Sequence, residues 1–246
     1  MKKELRIKNN ECEIYGAIYY PDGAVLGAVI LSHGYNGSHK DFDYECQRLA
    51  ENGYIAYAYD FCGGSTNGMS QGRATVDMTL FTEKSDLIAV FNYIKALPEL
   101  EGKKLYLFGG SQGGMVSCLA AEELADELSG LMLYYPALNI PEDWRKRYAS
   151  EADIPKEVDF WDMKLGEGFF KSIRDFVTFD NIGKFSKPAL IIYGKEDPVV
   201  PFMAMEKAKQ TYPDMKLEIL NGEGHGFTRT GTMEATRKLL EFLKNH

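Results

Sequence analysis

The residues Gly109-Gly110-Ser111-Gln112-Gly113 have the form G-x-S-x-G. A serine hydroxyl is a poor nucleophile at neutral pH, and it attacks a carbonyl only with a base to take its proton and a third group to orient the base. Taken alone the match is weak, since a glycine-rich turn with an incidental serine reads the same way. Its setting is more specific: KLYLF, a strand pattern, precedes it and MVSCLAAEELA, a helical pattern, follows. Ser111 therefore sits at a strand-to-helix elbow, where side chains larger than glycine would collide and where a helix N-terminus offers partial positive charge to a developing alkoxide.

The base is sought among four histidines, His33, His39, His225 and His246. His33 follows a strand in HGYNG, His39 lies near a helix start, and His246 is the last residue. Only His225, in Gly222-Glu223-Gly224-His225-Gly226-Phe227 after the strand KLEIL, combines a glycine-rich loop with a strand's carboxyl end. A lone histidine is more often structural; beside Ser111, His225 becomes the expected base. For the orienting carboxylate, Gly194-Lys195-Glu196-Asp197-Pro198 follows PALIIY and supplies Asp197, with Glu196 as the alternative. An Asp-Pro loop ahead of a helix also serves as an ordinary cap or Asx turn. The order Ser111, Asp197, His225 is the one expected of this elbow.

A tetrahedral intermediate also needs donors aimed at its oxyanion. The backbone N–H groups of Gln112, directly after the serine, and of Tyr35, in His33-Gly34-Tyr35-Asn36-Gly37 after the strand GAVILS, are the candidates. The plain alternative for the second is a glycine turn between strand and helix.

The elements that must carry these groups alternate along the chain. Residues 5–8 and 12–20 predict an opening hairpin. Residues 27–32, 54–59, 104–108, 130–135, 189–193 and 216–220 predict further strands, and helices are expected at 40–52, 87–97, 112–125, 201–211 and 232–244. Such alternation implies an α/β protein with a mostly parallel sheet, helices on both faces and a ligand site beyond the strands' carboxyl ends. Residues 139–184 break the rhythm. They hold both tryptophans, Trp144 and Trp161, with Phe160, Phe169, Phe170 and Phe176. A structureless loop of that length is improbable, so this segment is expected to be an inserted helical lid on a core formed by 1–138 and 185–246.

With 246 residues, 45% of them hydrophobic and 26% charged, the chain has room for one large domain with an insertion and is too apolar for disorder. A net charge of −8 opposes phosphate-backbone binding, so no nucleic-acid partner is expected. No apolar run approaches the ~20 residues of a membrane span and the charged N-terminus does not resemble a signal peptide, so a cytoplasmic location is expected. Cys12, Cys46, Cys62 and Cys118 form no C-x-x-C pair and are expected to be free thiols, not zinc ligands.

From HGYNG through GGSQGG and GKEDPVVP to GEGHGF, the whole chain resembles the α/β-hydrolases. Within them it is similar to small microbial carboxylesterases of the cinnamoyl and feruloyl esterase type, and more distantly to monoacylglycerol lipases. The resemblance implies a lid at the place and size of residues 139–184. Through Asp159-Phe160-Trp161-Asp162 it implies an acyl pocket lined by Trp161; Trp144 is the second tryptophan expected at the substrate. One departure stands out. Many relatives have D-x-x-G-x-G-x-S where this chain has Asp60-Phe61-Cys62-Gly63-Gly64-Ser65, with the glycines adjacent, which leaves the triad untouched but bears on subfamily and substrate.

The expected activity is hydrolysis of a small-molecule carboxylic ester with an apolar or aromatic group, through an acyl-enzyme on Ser111, needing no metal or organic cofactor. Aromatics that merely pack the insertion onto the body are an equal reading of the same residues. A monoacylglycerol lipase or thioesterase remains the alternative, followed by a ligand-binding receptor that does no chemistry; a homodimer is left open.

Overall fold

The computed structural model describes all 246 residues, Met1–His246. Its strands are β1 (Lys2–Asn9), β2 (Cys12–Tyr19), β3 (Gly27–Ser32), β4 (Tyr54–Tyr59), β5 (Lys104–Gly110), β6 (Gly130–Tyr134), β7 (Glu157–Phe160), β8 (Met163–Gly166), β9 (Ala189–Gly194) and β10 (Met215–Leu220). The helices are α1 (Asp43–Glu51), α2 (Leu80–Lys95), α3 (Ser111–Glu123), α4 (Ile140–Arg147), α5 (Glu167–Ile173), α6 (Phe202–Thr211) and α7 (Arg229–Asn245).

Eight strands form one sheet in the order β1-β2-β4-β3-β5-β6-β9-β10. The β1–β2 and β2–β4 pairs are antiparallel, and every pair from β4 to β10 is parallel. β3, β4 and β9 are buried along their whole length, as parallel strands covered on both faces must be. Successive side chains point to opposite faces. Ala28 and Ile30 of β3 accordingly join one hydrophobic cluster with α2, α3 and α6, whereas Val29 and Leu31 join a second with α1 and α7. The chain leaves β3 toward β4 on one side and returns to β5 on the other, so the loops after β3 and β5 diverge and open a crevice between them. The Tyr35 loop and the Ser111 elbow are those two loops.

Residues 139–184 differ from the helical expectation. Besides α4 and α5, residues 139–184 contain the antiparallel hairpin β7–β8, with Val158 opposite Leu165 and Phe160 opposite Met163. Its two-residue turn places Trp161 and Asp162 at φ of 43° and 60°, a twist that Asn-Gly or Asp-Gly usually signals. Without a glycine there, the hairpin was illegible. α2 also starts earlier than its apolar stripe suggests, because Thr79 and Thr82 form a capping box ahead of Leu80. All four cysteines are buried and free, and no helix is long and apolar enough to cross a membrane.

Candidate active site

Ser111 is the first residue of α3 and has φ 50°, a left-handed conformation strained for a side chain other than glycine. The crowding expected around it is present. A Cβ on Gly113 would overlap the carbonyl oxygens of Ser32 and His33, and one on Gly109 would overlap the Gly113 carbonyl. The elbow thus pushes Ser111 out into the crevice while its neighbours pack against β3.

The Ser111 Oγ lies 2.9 Å from His225 Nε2, and His225 Nδ1 lies 2.9 Å from Asp197 Oδ2. Asp197 is inaccessible to solvent in its side chain, while that of His225 is 16% exposed. The other oxygen of Asp197 accepts backbone N–H bonds from Val199 and Val200 at 2.8 and 2.9 Å. Burial alone would raise this carboxyl's pKa; the His225 bond and the two backbone donors outweigh it and hold the carboxyl below its ordinary value. The carboxylate therefore favours the tautomer with a proton on Nδ1, leaving Nε2 free to accept from Ser111. Glu196 does not reach the histidine; its carboxylate accepts the Gly222 backbone N–H at 2.7 Å.

His33 is separated from any such role. Its Nε2 accepts the Phe61 N–H at 3.0 Å and its Nδ1 lies 2.6 Å from the Gly34 carbonyl, while burial lowers its pKa. It is a neutral core histidine. His39 is likewise buried, bonded to Asp60 through both its backbone N–H and its ring.

Three contributors escaped the sequence reading. Tyr135 packs its ring 4.7 Å from the His225 imidazole. Glu223, two residues before His225, accepts the backbone N–H and the hydroxyl of Thr228, each at 2.6 Å, and so fixes the loop that carries the histidine. Asp60 accepts His39 and Met69 backbone N–H bonds and ties the segment after the Tyr35 loop to the loop with adjacent glycines. Only Glu223 had a signal, a carboxylate in a glycine loop.

The elbow opens on a cavity of about 400 Å³ lined by Ser111, Gln112, Tyr35, Trp144, Phe160 and Trp161, among others. Its size suits a small ligand, and its walls are largely aromatic. Trp144 is buried against Phe160 and Phe170, whereas Trp161 is 57% exposed and stacks on Phe160 at 4.7 Å. Gln112, in the first turn of α3, belongs to the stretch whose N–H groups lack intrahelical acceptors. The Tyr35 loop stands close to the serine: a Cβ on Gly34 would be 3.2 Å from the Ser111 Cβ. A larger depression of about 670 Å³ around Met1, Tyr19 and Glu51 contains none of these groups.

One cluster has the composition of a metal site, Cys12, Cys62 and Asp86, all buried. Asp86 is already bonded by Asn9, the Cys62 N–H and Arg73. The Arg73 guanidinium would oppose a cation there, so the cluster is structural.

The sheet order, the helices on both faces and the strand-to-helix elbow define the α/β-hydrolase architecture, and the chain belongs to that superfamily. More particularly, it belongs to the family described as serine aminopeptidase, S33, whose model matches residues 23–162. A structure of Est1E from Butyrivibrio proteoclasticus with ferulic acid bound superposes with a TM-score of 0.89 at 27% identity, over 98% of both chains. Caffeoylshikimate esterase of Arabidopsis thaliana is 30% identical over 128 residues, 50% of this chain. Monoglyceride lipase of Rattus norvegicus is 31% identical over 121 residues, 48% of this chain. Each of these two matches spans 37% of the relative's own length.

Proposed function

We propose that this protein is a serine carboxylic-ester hydrolase acting on esters with an apolar or aromatic acyl group, of the cinnamoyl or feruloyl kind. The observation that carries the reading is the unbroken chain from Ser111 Oγ to His225 to Asp197, at 2.9 Å and 2.9 Å, opening on an aromatic-walled cavity. The likeness to Est1E, which binds ferulic acid, supports the aromatic acyl group.

In the proposed reaction His225 Nε2 takes the Ser111 proton as Oγ bonds to the ester carbonyl carbon. The Tyr35 and Gln112 backbone N–H groups hold the oxyanion. Collapse breaks the carbon–oxygen bond to the alcohol, which leaves with the proton from His225. Water, deprotonated by the same imidazole, then attacks the acyl-enzyme and releases the acid. Asp197, held ionised, orients the imidazole and stabilises the imidazolium between these steps. The chemistry calls for no cofactor. In this reading residues 139–184 are a lid, with Trp161 and Trp144 forming the wall against which the acyl group lies, and the protein acts in the cytoplasm.

The test is turnover of p-nitrophenyl acetate, butyrate and octanoate, methyl ferulate and a monoacylglycerol by the wild type and Ser111→Ala. Methyl ferulate is expected to be the preferred ester, and all turnover is expected to vanish in the variant. Preference for the monoacylglycerol would redirect the assignment to a lipase, and turnover indifferent to Ser111 would remove it.

A further inference from the structure

Glu83 of α2 is completely buried, and the reaction above does not use it. Its Oε2 accepts the side-chain amide of Gln112 at 2.9 Å, while its Oε1 has no hydrogen-bond partner. The unpaired oxygen faces the adjacent-glycine loop: a Cβ on Gly64 would stand 2.8 Å from it and 2.7 Å from the Phe61 Cβ. Glycine at this position is therefore what admits the carboxyl, which gives the departure at residues 60–65 a physical consequence beneath the elbow.

A lone carboxylate in such a place lacks both water and a counter-charge, so the neutral acid is favoured. Burial pushes its pKa up to about 8; the Gln112 amide opposes this, Asp86 adds to it and Arg73 opposes it. Arg73 is itself paired with Asp86 at 3.0 Å. Tyr59 of β4 and Tyr35 of the loop after β3 also face Glu83, and both hydroxyls are held neutral by burial. α3 presents only the neutral Gln112, and the loop 61–64 presents no charge.

We propose that Glu83 is a positioning residue for the Ser111 site: as a neutral acid it holds Gln112, and with it the backbone N–H that meets the oxyanion, and its ionisation switches the site off. The assignment rests on the ester-hydrolase reading. Ionised, Glu83 places an unpaired charge directly behind the residue that must stabilise a developing negative charge. It also forces the glycine loop or the first turn of α3 to move to solvate it. Either change lowers kcat and leaves KM largely alone.

The experiment is kcat and KM for p-nitrophenyl butyrate from pH 6 to 10 with wild type, Glu83→Gln, Gln112→Leu and Ser111→Ala, together with each protein's melting temperature. Wild-type kcat is expected to fall roughly tenfold or more between pH 7 and 9.5, as loss of one required proton near the stated pKa dictates. Glu83→Gln is isosteric and permanently neutral, so it should keep kcat within about threefold at pH 7 and lose the alkaline fall. Gln112→Leu keeps the backbone donor but breaks the tie, and should lower kcat about tenfold at pH 7 with KM within about twofold. An alkaline limb that is missing in the wild type, or that persists in Glu83→Gln, overturns the assignment. If Glu83→Gln does not fold, wild-type kcat in Gln112→Leu overturns it instead. Ser111→Ala as active as wild type is a failure of the hydrolase reading and takes the assignment with it. An inactive Ser111→Ala beside an unchanged limb in Glu83→Gln is a failure of the Glu83 assignment alone.

Discussion

The Tyr35 hydroxyl donates to the carbonyl oxygen of Phe160 at 2.8 Å and lies 3.2 Å from that of Met163. Tyr35, in the loop that stands beside Ser111, thereby grips the tip of the β7–β8 hairpin with its side chain. Asn36 repeats the grip, donating to the Trp161 carbonyl at 3.1 Å while its own carbonyl oxygen accepts from the Thr66 backbone. The loop after β3, the hairpin and the loop carrying the adjacent glycines are one hydrogen-bonded unit.

Tyr35→Phe removes only the hydroxyl and keeps the backbone donor. It should lower kcat/KM for methyl ferulate by roughly tenfold, the scale of one or two neutral hydrogen bonds, and affect p-nitrophenyl acetate less. Equal rates for variant and wild type on both esters would show that the hairpin holds its place without this tie.

Trp161 lines the cavity while 57% exposed, in a turn whose backbone is left-handed at two non-glycine residues. Trp161→Ala is expected to reduce kcat/KM several-fold more for aryl acyl esters than for acetate, because stacking area is lost only with the larger acyl group. Parallel losses across the series would assign Trp161 to packing.

Asp197→Asn should leave the fold intact and cut kcat by about three to four orders of magnitude at pH 7, since an amide no longer selects the Nδ1 tautomer or stabilises the imidazolium. The rate ratio to wild type on a single activated ester measures it. A loss under tenfold would contradict Asp197 as the group that orients His225.

The Asp197 carboxyl is held below its ordinary pKa in the folded state. A depressed carboxyl binds fewer protons folded than unfolded, so its stabilising contribution is present above the unfolded value, about 3.9 for Asp. It fades as pH falls through the lower folded value. The melting-temperature gap between wild type and Asp197→Asn should accordingly be wider at pH 6 than at pH 3. A gap that is constant or grows toward acid would contradict the ionised, hydrogen-bonded Asp197.

Sequence made the frame and the grouping of Ser111, His225 and Asp197 legible for a definite reason. The central parallel strands are apolar on both faces, and Ser111 at the start of α3 and Asp197 and His225 in short loops all follow strand ends, where chain order and glycine spacing restrict the geometry. The hairpin at residues 157–166 was not legible, because its turn uses Trp161-Asp162 in place of glycine and its strands are only four residues long. Glu83 and Asp60 were invisible for a different reason. A charged residue in a helix or after a strand reads as solvated until the fold shows it buried, Glu83 beneath Gln112 and Asp60 beside His39. The Tyr35 and Asn36 ties join residues some 125 positions apart and leave no local pattern.

The most direct test of the account is intact-mass spectrometry of the protein treated with diethyl p-nitrophenyl phosphate, with the modified residue mapped by peptide sequencing and residual esterase activity followed in parallel. One diethylphosphoryl group per chain is expected, attached to Ser111, with activity lost in proportion to labelling and no label on Ser111→Ala. Ester turnover that persists in a fully labelled protein, or label and activity that both survive Ser111→Ala, would contradict it.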